Sequence, residues 1–349
     1  MSELKNMEPD QALVAYSLPG SDSFIAFKAN FVRDALNDTN LKLYDFVMSP
    51  FDREVSDCLW FSFQEEIQEF PIEHEALKFY NEVETSKDAY IESAEELMEN
   101  FKASPLEKMV LSRTKFNPSS KPVNIYKLYS SLCQTYVNDF VCLVHIPEGL
   151  SWIGASPELL LGQEEGKLKT VALAGTQSLN ADLDSISWGE KEVEEHRFIE
   201  RFYEEVFGAE GKAYSKSESY THPAGKMCHI RSDFYLDSSE DMAQVIELIH
   251  PGPALSGYPK EMAIEKIRSL EGHERSHYTG FWGPLKTDRG LQLFANIRCA
   301  ELFEQGALMY LGGGYTRDSI IESEWRETEL KSTTLAQVLN KDHAVHDNG

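Results

Sequence analysis

Two short stretches share one carboxylate spacing, Glu192-Val193-Glu194-Glu195-His196 and Glu324-Trp325-Arg326-Glu327. In a helix, glutamates three apart project from one face, and two such faces could together offer hard oxygen ligands to a divalent cation. The chain holds 58 acidic residues, so such pairs on solvated faces also arise by chance. Neither stretch has the Glu-x-x-His spacing of di-iron sites. A different metal signature, His273-Glu274-Arg275-Ser276-His277, matches HExxH, but it follows Gly272 and runs straight into Tyr278-Thr279-Gly280. The zinc motif needs a helix to bring both histidines to one face. None long enough fits here, which leaves a zinc peptidase as a small alternative.

Three further segments carry single chemical groups. Lys108 opens the apolar run Met109-Val110-Leu111, where partial burial could make it a base; the plain alternative is a strand-end lysine facing water. Glu158 precedes Leu159-Leu160-Leu161, where an apolar setting could keep it protonated as an acid; the plain alternative is an exposed turn glutamate. Gly312-Gly313-Gly314, between Leu311 and Tyr315, could turn backbone N–H groups toward an anion, although glycine runs also make ordinary turns.

The elements that would position these groups can be read from pattern. The first ~100 residues alternate short apolar strands with turn signals and end in a predicted helix, Lys87 to Phe101. Strand-like runs then recur as MVLSR, FVCLVHI, LSWIGA, ELLLG and TVALAG. Helices are predicted over Glu190–Phe207, Ser239–Ile249, Pro259–Leu270 and Glu322–Leu339. Ser239 would cap its helix, and Pro259 suits a first turn because its missing N–H has no partner there. Strands in antiparallel-looking sets with helices between them predict an α+β fold. No GxGxxG follows a strand, so a dinucleotide site has no support.

Composition narrows the partners. A formal charge of −25 repels nucleic acid and anionic membranes, so an anionic substrate would need placed cations or a metal. Five scattered cysteines without CxxC spacing predict reduced thiols in a cytoplasmic protein. No basic leader with an apolar core and no bilayer-length apolar run is present in the sequence.

Taken in order, EKMVLSR, GASPELLL, TVALAGT, KEVEEH, KMCHIRS, HPGPALSGYPKEMA, HYTGFWGP, FANIRCAE and GGGY…SEWRETELK resemble the chorismate-utilising enzymes, which comprise isochorismate, salicylate, anthranilate and aminodeoxychorismate synthases. The likeness runs from about Lys108 to Lys331. It implies a single chorismate-binding domain over 1–349, with a variable part (1–100), a catalytic part (101–340) and a frayed tail (341–349). The implied fold is α+β, two stacked, mainly antiparallel β-sheets flanked by helices. Mg²⁺ is implied at Glu195 and Glu327, supported through water by Glu192 and Glu324, and would chelate the substrate's ring carboxylate. Arg298, Lys331 and the Gly312–Gly314 backbone would compensate its charge, and Tyr278, His229, Ala174, Gly175 and Thr176 would line it.

Within the family, Lys108 resembles the base of isochorismate and salicylate synthases that activates water to attack C2, and Glu158 resembles the acid that protonates the departing C4 hydroxyl. Ala174 stands where aminodeoxychorismate synthases carry a nucleophilic lysine. The leading expectation is therefore an isochorismate synthase, in a quinone or siderophore route, that needs no amidotransferase partner. Salicylate synthase, an ammonia-using anthranilate-type enzyme and a catalytically dead binding subunit are the alternatives. HPGPAL and GGGYT depart from the usual HPTPAV and GAGIV, and Tyr315 is expected to alter packing near the substrate carboxylate.

Overall fold

The computed structural model describes residues 10–68, 77–80, 84–179, 186–224, 227–237 and 241–344. The chain opens with β1 (Gln11–Ser17), β2 (Ile25–Asp34), α1 (Asp38–Leu43), β3 (Phe46–Ser49), β4 (Cys58–Glu66) and α2 (Lys87–Ala103). The middle comprises β5 (Lys108–Pro118), α3 (Ile125–Thr135), β6 (Phe140–His145), β7 (Ser151–Ser156), β8 (Leu159–Glu164) and β9 (Lys167–Ser178). Next come α4 (Glu190–Ala209), β10 (Tyr214–Lys216), β11 (Tyr220–Ala224), β12 (Met227–Asp237), α5 (Met242–Ile249), β13 (Gly257–Tyr258) and α6 (Lys260–Leu270). The last elements are β14 (Phe281–Pro284), β15 (Gln292–Ala295), β16 (Cys299–Phe303), β17 (Gly306–Thr316) and α7 (Ile321–Ala344).

All the strand pairings are antiparallel and join into one network. Its order is β13-β5-β17-β16-β7-β6-β1-β2-β4-β3-β14-β15-β8-β9-β12, with β10 and β11 on the far edge of β12. Strand side chains alternate between faces, and β1 shows where each face goes. Ala12, Val14 and Tyr16 enter a buried cluster with Phe46, Phe61, Phe140, Trp152 and Trp282. That cluster draws on strands from both halves of the network, so the sheet folds over and its two arms face each other. Leu13 and Ala15 instead meet Leu128 and Leu132 of α3 and Val338 of α7 on one outer face. On the other outer face, Ile199 and Phe202 of α4 and Ile246 of α5 cover Leu161 and Phe234. The expected α+β layering is present, and the two stacked layers are arms of one paired sheet.

Helix starts follow capping chemistry, with shifts. Ser86 accepts the Ala89 N–H at the start of α2. Asp241 accepts the Gln244 N–H to open α5; Ser239 lies outside the described residues. Pro259 stands at the N-cap of α6, one position before the first turn where it was expected. Residues 341–344 continue α7, and 345–349 lie outside the described residues.

Candidate active site

Lys108 is the first residue of β5, between Tyr258 of β13 and Thr316 of β17. These neighbours leave it 5% exposed, so it is not a strand-end lysine facing water. Its Nζ stands 3.5 Å from Glu195 Oε1 of α4.

Glu158 lies in the short link between β7 and β8, where the chain crosses from one arm to the other. Its carbonyl accepts the Ala295 N–H at 3.0 Å, and its own N–H goes to Ser156 Oγ at 3.3 Å. It sits at a narrow recess, partly open to solvent, lined among others by Leu160, Val171, Ile199, Tyr203 and Leu255. Burial there pushes the carboxyl up to about 7, against the opposing pull of Lys108 and Arg298.

Arg298 has a left-handed backbone (φ 48°), an uncommon conformation for a residue with a Cβ and one that tends to mark functional positions. Its Nη1 donates to Asp139 Oδ2 at 3.2 Å. Asp139, which the sequence did not single out, is itself pushed up by burial while Arg298 draws it back. The Arg298 charge also acts on His229.

The register of β9 against β12 shifts between Cys228 and Ile230, which pair with Gln177 and Ala174. Gly175 and Thr176 therefore bulge opposite His229, with Gly175 at φ 64°. His229 Nδ1 lies 2.7 Å from the Gly175 carbonyl. A carbonyl only accepts, so Nδ1 carries the proton and Nε2 is the acceptor nitrogen. Burial, with a smaller push from Arg298, lowers the imidazole's pKa, against the Gly175 bond, and favours the neutral ring. Ala174 turns its side chain into the apolar cluster beneath α4 and α5, so at this bulge only its backbone can reach a ligand. The Thr176 side chain lies outside the described residues.

The glycine run is strand, not turn. Gly312, Gly313 and Gly314 pair with Ser112, Leu111 and Val110 of β5. Val110 and Ser112 send their N–H groups away from β17, to Ser256 O and Glu271 Oε1. The pairs they form with Gly314 and Gly312 are thus non-hydrogen-bonded, and those glycines direct N–H and C=O away from β5. Lys331 Nζ takes the Gly312 carbonyl at 2.9 Å. A Cβ on Gly312 would stand 2.5 Å from the buried Tyr278 Oη, and one on Gly314 3.7 Å from Lys108 Cε. Tyr315 faces the other way, with its Oη donating to Tyr90 Oη at 3.2 Å. It is fully buried in the cluster of α2 and α6, so it fills that core and leaves the Gly312 face unaltered.

Among the carboxylates, Glu192 packs on Gly175, where a Cβ would lie 3.0 Å from its own. Glu195 faces Lys108, Glu324 Oε1 accepts from Ser319 Oγ at 3.1 Å, and Glu327 Oε1 lies 2.7 Å from Lys331 Nζ. Among the described residues, no three His, Cys, Asp or Glu side chains converge as a metal centre. The donors nonetheless fit a hard cation by type: all are carboxylates, and Glu195 and Glu327 are 45% and 49% exposed, each beside a lysine. Arg113 fixes the helix that carries Glu324 and Glu327. Its guanidinium lies 4.1 Å over the Trp325 ring, donates to Thr328 Oγ1 at 2.8 Å and pairs with Glu329. The zinc alternative falls, because residues 271–280 form bends and turns without a helix. His273 instead pairs with Ser112 Oγ at 3.1 Å, and His277 is buried against Trp152.

Lys108 and Arg298 both act on the Glu158 carboxyl, an arrangement capable of acid–base chemistry on an antiparallel α+β fold. The chain belongs to the chorismate binding enzyme family, whose model matches residues 51–340. That match begins well before Lys108, where the readable likeness starts. The isochorismate synthase EntC of Escherichia coli strain K12 is 31% identical over 208 residues, 56% of this chain and 53% of the relative. Anthranilate synthase component 1 of Aquifex aeolicus is 29% identical over 240 residues, 62% of this chain and 46% of the relative. The chain thus spans about half the length of these curated relatives. The solved structure of MenF, the menaquinone-specific isochorismate synthase of Escherichia coli, shares the fold with a TM-score of 0.79 at 17% identity, over 95% of this chain and 89% of that one. All five cysteines are free, and no helix among the described residues is long and apolar enough to cross a membrane.

Proposed function

We propose that this chain is an isochorismate synthase that adds water at C2 of chorismate and expels the C4 hydroxyl. The observation that supports the reading is a buried Lys108 whose charge acts on Glu158, a carboxyl shifted by burial toward its protonated form. Lys108 takes the proton of the attacking water. Glu158 gives its proton to the C4 hydroxyl, which leaves as water while the ring double bonds shift. Arg298 and Lys331 balance the substrate's charge, and the Gly312 and Gly314 N–H groups orient its carboxylate. Neutral His229 presents an acceptor to a ring substituent. Mg²⁺ would be held by Glu195 and Glu327 with Glu192 and Glu324 in support, and when bound it supplies positive charge to the ring carboxylate. No ammonia donor is required, hence no amidotransferase.

The test is turnover of chorismate by purified protein with Mg²⁺ and then with EDTA, in the absence of ammonia, with products separated by chromatography. Isochorismate formed only with Mg²⁺ is the expected result. Salicylate with pyruvate, or anthranilate on adding ammonia, would overturn it.

A further inference from the structure

The edge of β5 that carries Lys108 is incompletely covered. β13 pairs only with Lys108 and Met109. Beyond that point the Val110 N–H still goes to the Ser256 carbonyl, but side chains take the other edge groups: Arg275 Nη2 donates to the Val110 carbonyl at 2.7 Å, and Glu271 Oε1 accepts the Ser112 N–H at 2.7 Å. The two side chains are joined to each other, Nε to Oε2 at 2.8 Å and Nη2 to Oε1 at 2.6 Å. Arg275 Nη1 continues to the Leu255 carbonyl at 2.8 Å and to Thr279 Oγ1 at 3.0 Å, beside Tyr278. All five guanidinium N–H groups are thereby used. The side chains are 2% and 1% exposed.

The geometry points to Glu271 and Arg275 as positioning residues that hold Lys108 in its working place through the β5 backbone. A buried ion pair is a poor source of stability, since an apolar pair of similar volume often does as well. An apolar pair, however, could not take the Val110 carbonyl or the Ser112 N–H. The specific product of this pair is therefore a fixed β5 edge two to four residues from Lys108. The arginine of the misleading HExxH spacing is the part of that segment that acts.

The kinetic arm of the test rests on the reading of Lys108 as base; a labelling arm does not. In the full chain, Glu271→Leu with Arg275→Met, Glu271→Gln alone and Arg275→Lys alone are compared with wild type. Thermal midpoint, kcat and KM for chorismate are measured, together with modification of Lys108 by an amine-reactive reagent read by peptide mass spectrometry. The double variant is expected to melt within a few degrees of wild type and keep its KM. It should lose kcat about 100-fold, as a misplacement of about 1 Å can cause, and Lys108 should become readily labelled. Glu271→Gln keeps an acceptor for Ser112 and should retain most turnover and protection, whereas Arg275→Lys, which cannot span the same carbonyls, should lose both. Unchanged Lys108 protection with unchanged kcat in a folded double variant overturns the proposal. If that variant does not fold, equal losses in Glu271→Gln and Arg275→Lys overturn it, and the expected order of the two supports it. If wild type makes no isochorismate, the proposed function falls, while the labelling comparison still decides the positioning role.

Discussion

At the scale of single residues, the proposed base and the proposed acid sit in different surroundings. Burial raises the Glu158 carboxyl from 4.5 to about 7, so a substantial fraction keeps its proton near neutral pH and loses it above. Turnover should therefore decline as pH rises through about 7. Glu158→Gln should remove that limb along with about 10²–10⁴-fold of kcat. The same shift has a sign in stability. The folded chain binds more protons at this carboxyl than the unfolded chain between 4.5 and about 7, so its contribution to stability falls as pH rises across that window. Urea midpoints at pH 5 and pH 8 should differ less in Glu158→Gln than in wild type, and an unchanged difference would count against the desolvation of Glu158. Lys108→Ala should abolish conversion while calorimetry still detects chorismate binding with Mg²⁺; unchanged turnover would remove the base assignment. Both residues stood out beside apolar runs, but the roles expected of them came from the resemblance of the ordered segments and not from those runs. The tautomer of His229 was not legible, because it is set by a carbonyl that only the β9 bulge brings close.

At the scale of elements, periodicity and capping gave the longer helices to within a few residues, including those bearing the four glutamates. α3 went unread although Ile125, Leu128, Tyr129 and Leu132 keep a helical spacing, since a short run rich in such residues fits a strand equally well. The glycine run illustrates a deeper limit. Glycine suits turns by its free backbone, but Gly312 is required here by close approach: its neighbour is the Tyr278 hydroxyl, contributed from the loop before β14. Gly312→Ala should force β17 away from the buried Tyr278 hydroxyl and the Val110 side chain and cost about 1–3 kcal/mol, as overpacking does, with turnover lost as well. Gly314→Ala meets its nearest side-chain atom at 3.7 Å, ordinary contact distance, and should fold like wild type. Paired melting curves check the contrast, and equal midpoints would contradict the packing described for Gly312.

At the scale of the whole molecule, the strand order could not be read from local pattern. Pairings such as β5 with β17 join Lys108 to Thr316 and Pro118 to Gly306 across most of the chain, and only burial on both faces selects them. The same topology places α4 on the β9–β12 arm and α7 against β17, so Glu195 and Glu327 are carried by helices on different arms. A cation held by both would tie the arms together, and binding only to the folded chain must then stabilise it. At free Mg²⁺ about 100 times its dissociation constant, the gain would be about 2.7 kcal/mol, read as a rise in thermal midpoint. In a chain of charge −25, any salt also screens self-repulsion, so NaCl of equal ionic strength is the necessary comparison. Glu195→Gln with Glu327→Gln should abolish the specific Mg²⁺ increment and keep the screening one. Loss of the two lysine pairs should change the metal-free midpoint little, because Glu195 and Glu327 are about half exposed. An Mg²⁺ response that survives in the double variant, or that NaCl reproduces, would move the ion from the proposed site to the general field of the protein.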